Sequence, residues 1–250
     1  MIFYLKALAD NYIWCLQNHQ NLWLIDPGDA APVLQFLKEN SSVMLGGILI
    51  THHHFDHTGG IKTLKNLFPN IQIFAPKKEN IVEATHFLEG GESLDLLDFK
   101  VEVINAVGHT LGHLIYKIGN NLFVGDVLFG AGCGRLFEGT AAQMFDSLQK
   151  ILAMPDSANI YCAHEYTLQN LKFAKVVEPH NVEIQKRWAF CQKNPVSVPF
   201  SLATEKATNP FLRINQQSVR EFLIKNGAKE NANDVAFFAK LRELRNVFKG

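Results

Sequence analysis

The chain has 250 residues, 47% hydrophobic and 19% charged, with 17 Gly and 9 Pro, a composition that excludes a disordered, collagenous or disulfide-stapled protein. Lys+Arg 24 balances Asp+Glu 24, so no global field marks nucleic acid or a membrane surface as a partner. Cys15, Cys133, Cys162 and Cys191 are scattered without a Cys-x-x-Cys spacing, the usage of reduced thiols in a cytoplasmic protein and not of a thiolate zinc site.

Residues 1–10 meet charge too early for a secretory signal, and no apolar run approaches the roughly 20 residues that span a bilayer. Residues 11–17 and 21–26 read as a β-hairpin around a polar turn. Pro27-Gly28 breaks the chain, and 31–39, with Val33, Leu34 and Leu37 at helical spacing, reads as a helix. Gly47-Ile48-Leu49-Ile50 is a short apolar run, the pattern of a strand buried on both faces. A helix follows over 60–68, then strands over 71–75, 93–97, 100–104, 114–118 and 122–125, the last two joined by turn residues Gly119-Asn120-Asn121. Thr140 caps a helix running to Leu152, and 159–163 is a further strand. Beyond Tyr166 the pattern turns helical, over 168–177, 182–192, 216–225 and 233–248, with a Pro-bearing stretch 194–210 between. The expected organisation is an α/β domain over 1–165 and a smaller helical region over 166–250.

Chemistry concentrates in Thr51-His52-His53-His54-Phe55-Asp56-His57, where a buried strand ends and its loop is free of the sheet ladder. His52 and His54, two apart in extended chain, project the same way and can grip one cation. Asp56 and His57 follow where the chain turns and can face a second. His53 is expected toward solvent and Phe55 into packing. Imidazole with one carboxylate per ion suits Zn²⁺, Fe or Mn. One motif cannot close two sites, and three more candidate ligands stand at strand ends: His109 in Gly108-His109-Thr110, Asp126 after Leu122-Phe123-Val124-Gly125, and His164 after Ile160-Tyr161-Cys162-Ala163. A carboxylate ending an apolar strand demands a partner.

The His-x-His-x-Asp-His motif, followed by Gly-His, strand-end Asp and strand-end His, resembles the metallo-β-lactamase superfamily. The segments Cys133-Gly134-Arg135-Leu136-Phe137 and His164-Glu165-Tyr166-Thr167, with Asp10-Asn11-Tyr12, Asp26-Pro27-Gly28-Asp29 and Asn209-Pro210-Phe211-Leu212-Arg213, are similar to the hydroxyacylglutathione hydrolases, or glyoxalase II, over nearly the whole chain. The resemblance implies an α/β (α+β) fold: an αββα sandwich of two mixed β-sheets flanked by helices, plus a C-terminal helical domain. It implies two divalent ions, Zn first and Fe or Mn as alternatives. His52, His54 and His109 would hold one, Asp56, His57 and His164 the other, and Asp126 both, with Asp56 and Asp126 the catalytic carboxylates. Arg135, Phe137, Tyr166, Arg242 and Arg245 match positions that hold glutathione. Some relatives carry Lys in place of Arg135 or Arg245 and Tyr in place of Phe137; Arg keeps the charge and can pair a carboxylate bidentately, whereas Phe137 has no hydroxyl to donate.

The implied reaction is hydrolysis of S-(2-hydroxyacyl)glutathione, S-D-lactoylglutathione first, to glutathione and D-lactate by a hydroxide bound to the metal pair, a step of methylglyoxal detoxification. A soluble cytoplasmic monomer acting on a small molecule is expected, without nucleic acid or membrane partners. Thr51, Thr110 or Asp29 are candidates to orient the ligands. On spacing alone, Arg242 and Arg245, three apart beside Glu243, read as an ordinary solvated helix face. A glutathione persulfide dioxygenase with one Fe is the competing reading, but it leaves Asp56, His57 and His164 without a joint task. An RNA nuclease would need a basic surface, and a metal-storage protein has no use for a basic clamp.

Overall fold

The structure is a computed structural model describing residues 1–96 and 99–249; Leu97, at the end of the strand expected over 93–97, lies outside the described residues. The chain divides into two compact units, Met1–Asn105 with Leu111–Gly125, and Ala106–Thr110 with Asp126–Gly250.

The first unit is built on a six-stranded mixed sheet. Strands β1 (Ile2–Ala7), β2 (Asn11–Asn18) and β3 (Asn21–Ile25) form an antiparallel meander, to which β4 (Met44–Leu49), β5 (Gln72–Pro76) and β6 (His86–Leu88) add in parallel. Period-two alternation sends Ile13, Cys15, Leu22, Leu24, Ile48, Ile50 and Ile73 to one face. There they pack on Val33 of α1 (Ala31–Glu39) and on Ile61 and Leu64, which belong to α3 (Ile61–Leu67); the short α2 (Phe55–Thr58) precedes α3. The opposite face meets a second sheet in which β7 (Ser93–Leu96), β8 (Phe99–Asn105), β9 (Leu114–Ile118) and β10 (Asn121–Gly125) run antiparallel. Trp14 meets Phe123 edge-on at 6.3 Å, and the Tyr116 hydroxyl donates to the Ile50 carbonyl at 2.6 Å. A strand between helices and a second sheet has no wet face, which explains the uninterrupted apolar run Ile48-Leu49-Ile50, each fully buried.

The second unit contains the hairpin β11 (Leu128–Phe129) and β12 (Gly132–Cys133), the antiparallel pair β13 (Asn159–Cys162) and β14 (Phe200–Ser201), and helices α4 (Ala141–Leu152) to α9. Thr140 and Gln143 form a reciprocal capping box at the start of α4. Helices α5 (Thr167–Val177) and α6 (Val182–Lys193) share a core of Leu171, Ala174, Ile184 and Cys191. Helices α7 (Leu202–Thr208), α8 (Gln217–Lys225) and α9 (Asp234–Val247) follow, and Phe211 meets Phe238 of α9 at 5.8 Å. Helix α7 occupies part of the stretch expected only as a connection over 194–210; Ser201 caps it, accepting from the Thr204 amide. Among the described residues no helix is long and apolar enough to cross a membrane, and all four cysteines are buried free thiols.

Candidate functional site

In the first unit the chain leaves β4 extended through His54 and turns into α2 at Phe55. The turn is tight because Gly28 has no side chain: a Cβ there would collide with the Asp56 carbonyl oxygen. His52 Nε2 and His54 Nδ1 lie 3.0 Å apart, as their spacing in extended chain predicts. His57 Nε2 lies 3.5 Å from Asp56 Oδ2, and Asn11 Nδ2 donates at 3.1 Å to both the backbone oxygen and Oδ2 of Asp56. His52 and His57 are fully buried.

The other ring nitrogens of His52 and His57 are tied back into the protein, which decides which nitrogen is offered. Thr51 Oγ1 lies 3.0 Å from His52 Nδ1, and the Asp26 carboxylate takes three contacts: the Thr51 amide at 2.8 Å, Thr51 Oγ1 at 2.6 Å and His57 Nδ1 at 3.0 Å. Asp26, His52 and His57 are close enough to form a metal-type group, yet Asp26 spends both oxygens on the loop. Its place is behind His57. The His113 ring stacks on His52, with centroids 4.8 Å apart at 22°.

The second unit assembles a matching set. His109 Nδ1 is held 2.8 Å from the Arg135 carbonyl, directing Nε2 to Asp126 Oδ2 at 3.4 Å. His164 Nε2 lies 3.4 Å from the other oxygen, Oδ1. One buried carboxylate therefore stands between two buried imidazoles, one at each oxygen, the disposition of a ligand shared by two cations. Gly134 makes room, since a Cβ there would collide with the Asp126 carbonyl oxygen. The donor chemistry of both sets, imidazole nitrogen with single carboxylates, fits a first-row transition metal or zinc.

Asp126 and His109 also line a cavity of about 460 Å³ in this unit, walled by Arg135, Phe137, Tyr166, Arg242 and Arg245 together with Phe129, Cys133 and Asn170. Tyr166 stacks flat on His164 at 4.7 Å, and Phe137 meets His109 edge-on at 5.2 Å. Arg242 is buried: its Nη1 donates to the Cys133 carbonyl at 2.8 Å and its guanidinium lies 5.1 Å from the Phe211 ring. Arg245 Nη2 donates to Asn170 Oδ1 at 3.1 Å. Arg187, Arg213 and Arg220 each pair with a carboxylate. Among the described residues no carboxylate pairs with Arg135, Arg242 or Arg245. Burial, and then the neighbouring charges of Arg242 and Arg135, push the Arg245 pKa down. An anion bound in the cavity would oppose that shift.

Three sequence expectations are corrected. Phe55 is 77% exposed, because α2 is a single turn whose outer side carries it. Arg242 is not on a solvated face, because α9 packs there on Phe211 and the β11–β12 hairpin. Asp29 orients no ligand: its Oδ1 accepts from the Ala31 amide at the start of α1. Sequence reasoning missed Asp26, although it ends a β-strand just as Asp126 does. It also missed Glu79, whose buried carboxylate accepts from the His53 and Gly112 amides and contacts the His53 ring; nothing in Pro76-Lys77-Lys78-Glu79-Asn80 signals that role.

Two family models cover the chain: the metallo-beta-lactamase superfamily over residues 11–164 and the hydroxyacylglutathione hydrolase C-terminus over residues 165–248. A hydroxyacylglutathione hydrolase from Dechloromonas aromatica is 47% identical over 264 residues, covering 99% of each chain. One from Nitrosomonas europaea is 43% identical over 259 residues, covering 100% of this chain and 97% of the relative. Among solved structures, ETHE1 from Myxococcus xanthus superposes with a TM-score of 0.67 at 20% identity, covering 98% of this chain and 97% of that one, a likeness of fold. The two mixed and antiparallel sheets, the helical C-terminal region and these full-length matches place the chain in the hydroxyacylglutathione hydrolase (glyoxalase II) family of the metallo-beta-lactamase superfamily.

Proposed function

We propose that this protein hydrolyses the thioester of S-(2-hydroxyacyl)glutathione, with S-D-lactoylglutathione as its substrate, releasing glutathione and D-lactate. The observation that carries the reading is the cavity in which Arg135, Arg242 and Arg245, without carboxylate partners among the described residues, stand beside His109 and Asp126. Glutathione carries two carboxylates, and guanidinium forks bind such groups in fixed geometry. Tyr166 and Phe137 supply the apolar walls.

Two divalent cations are proposed, Zn²⁺ first, with Fe or Mn as alternatives. In this reading His52, His54 and His109 hold one, Asp56, His57 and His164 the other, and Asp126 both. When bound, such a pair supplies a hydroxide at neutral pH and a Lewis acid for the developing oxyanion. The chain's own part is to present one chosen nitrogen of His52, His57 and His109, through Thr51, Asp26 and the Arg135 carbonyl, and to hold Asp56 through Asn11. Asp56 and Asp126 are the catalytic carboxylates. The leaving thiolate has a conjugate-acid pKa near 8.5, so no dedicated general acid is required. Cys133 is not the nucleophile: burial pushes its thiol pKa up, against the opposing effect of Arg242.

The proposed organisation is a metal-binding catalytic domain over 1–165 and a substrate-binding helical domain over 166–250, supported by family matches that change over at 164–165. The C-terminal match favours hydrolysis over the persulfide dioxygenase alternative. A cytoplasmic monomer that binds neither nucleic acid nor membrane completes the reading. Purified protein mixed with S-D-lactoylglutathione should lose the thioester absorbance and release thiol in equal amounts. Protein that carries two metal equivalents and does not turn over would reject the proposal.

A further inference from the structure

The hairpin β11–β12 turns through Gly130 and Ala131, pairing Phe129 with Gly132 and Leu128 with Cys133. It begins two residues after Asp126 and places Phe129 and Cys133 in the cavity wall. Its turn is held in an unusual way. Ala131 has φ +54°, a left-handed backbone that costs a residue with a Cβ and that two-residue hairpins ordinarily give to Gly or Asn. Such strain persists only where the surroundings impose it.

Here they do, through three buried side chains. The Glu205 carboxylate accepts from the Ala131 amide at 3.0 and 3.3 Å, one contact per oxygen. Asn209 Nδ2 donates to the Gly132 carbonyl at 3.0 Å, to the Phe129 carbonyl at 3.4 Å and to Glu205 Oε2 at 2.7 Å. Asn170 Nδ2 donates to the Gly130 carbonyl at 3.1 Å. A backbone group of every residue from Phe129 to Gly132 is thus tied to a side chain on or beside α5 or α7. Arg187 Nη1, 2.5 Å from Glu205 Oε1, compensates the buried carboxylate, and Glu205 and Asn209 are fully buried.

We propose that Glu205 and Asn209 are positioning residues for the substrate: they hold the β11–β12 turn in its left-handed form, and the turn sets the wall that receives glutathione. The inference rests on the glutathione reading of the cavity. It also gives the Asn209-Pro210-Phe211 segment a task. Asn209 serves both ends, since its Oδ1 accepts from the Phe211 amide at 3.0 Å while its Nδ2 holds the turn.

The test is Asn209→Ser, which keeps an acceptor for the Phe211 amide and loses the reach to the turn. Binding of S-hexylglutathione, a thioether that cannot be hydrolysed, should weaken about tenfold, and KM should rise about as much with kcat changed less than about twofold. Hydrogen exchange at the Ala131 amide, read without any ligand, should accelerate. Ala131→Gly in the same background should restore binding to within about threefold, because glycine takes the left-handed form without a Cβ penalty. A general loss of structure would not be rescued that way. If Asn209→Ser is insoluble, Ala131→Val strains the same turn with the hub intact and should raise KM alike. A folded variant with unchanged affinity, or a KM increase that Ala131→Gly does not relieve, overturns the inference. Failure of the unsubstituted protein to bind S-hexylglutathione overturns the glutathione reading instead, and the Ala131 exchange rate then judges the turn by itself.

Discussion

Asp26→Asn isolates the support behind His57. The carboxylate accepts from the Thr51 amide, the Thr51 hydroxyl and His57 Nδ1. Asparagine keeps one oxygen, which suffices for the amide, and turns the other position into an N–H donor facing His57 Nδ1. The imidazole must then accept there and carry its proton on Nε2, the nitrogen facing Asp56 Oδ2 at 3.5 Å. A buried charge-assisted hydrogen bond contributes about 1.5–3 kcal/mol, and a loss of about 2 kcal/mol is a factor of about 30 in an equilibrium constant, inside the 10–100-fold range for groups that orient metal-binding imidazoles. Competition against a chromogenic chelator should show one of two bound equivalents weakened about 30-fold and the other little changed. Far-UV circular dichroism should be unaltered, since the amide contact survives. A folded variant holding both equivalents within about twofold of the original affinity would refute the argument.

The other perturbations probe separate parts of the account. Arg242→Ala with Arg245→Ala should raise KM for S-D-lactoylglutathione with little change in kcat, because the proposed carboxylate contacts would be the same in ground and transition states; steady-state kinetics with KM unmoved would detach both residues from the substrate. Asp126→Ala should lose metal as well as rate, and metal analysis showing full retention would mean the carboxylate is not shared. Thr140→Ala should cost about 1 kcal/mol of unfolding free energy through loss of the capping box, measured in urea. Burial pushes the thiols of Cys15 and Cys162 well up in the folded state. Their folded pKa values exceed the unfolded value of about 8.5, so the stability they contribute is full below that pH and is lost as pH rises above it. Denaturation at increasing alkaline pH should show that decline, smaller in a Cys15→Ala variant.

The parts of the site legible in the sequence were those encoded locally. His52 and His54 share a face because extended chain has a period of two, and Asp126 stands out because a carboxylate closing Leu122-Phe123-Val124 needs a reason. Asp26 is legible as the end of a strand and as part of the Asp26-Pro27-Gly28-Asp29 segment, but its task is not, because only the fold brings it behind His57. Glu79 and Glu205 carry no local pattern at all; each is a surface-type residue made internal by donors from distant segments, Gly112 in one case and Ala131 in the other. Phe55 illustrates the converse, an apolar residue assigned to packing by type and left exposed by a one-turn helix. Arg242 and Arg245 looked solvated because Glu243 lies between them, yet Glu243 points away to Lys240 at 3.0 Å, and helical periodicity alone does not say which side of α9 is covered. The strands and helices are legible where one face or both are apolar, whereas the edge strands β1 and β6, with few fully buried residues, are not, and α7 is hidden by the prolines that bracket it.

The most direct measurement is metal content per chain and S-D-lactoylglutathione hydrolysis followed on the same sample during stepwise chelation and reloading. Two equivalents are expected at full activity, with turnover lost as the pair is dismantled and recovered when both return. Full turnover with a single equivalent, or activity that survives complete removal, would contradict that expectation.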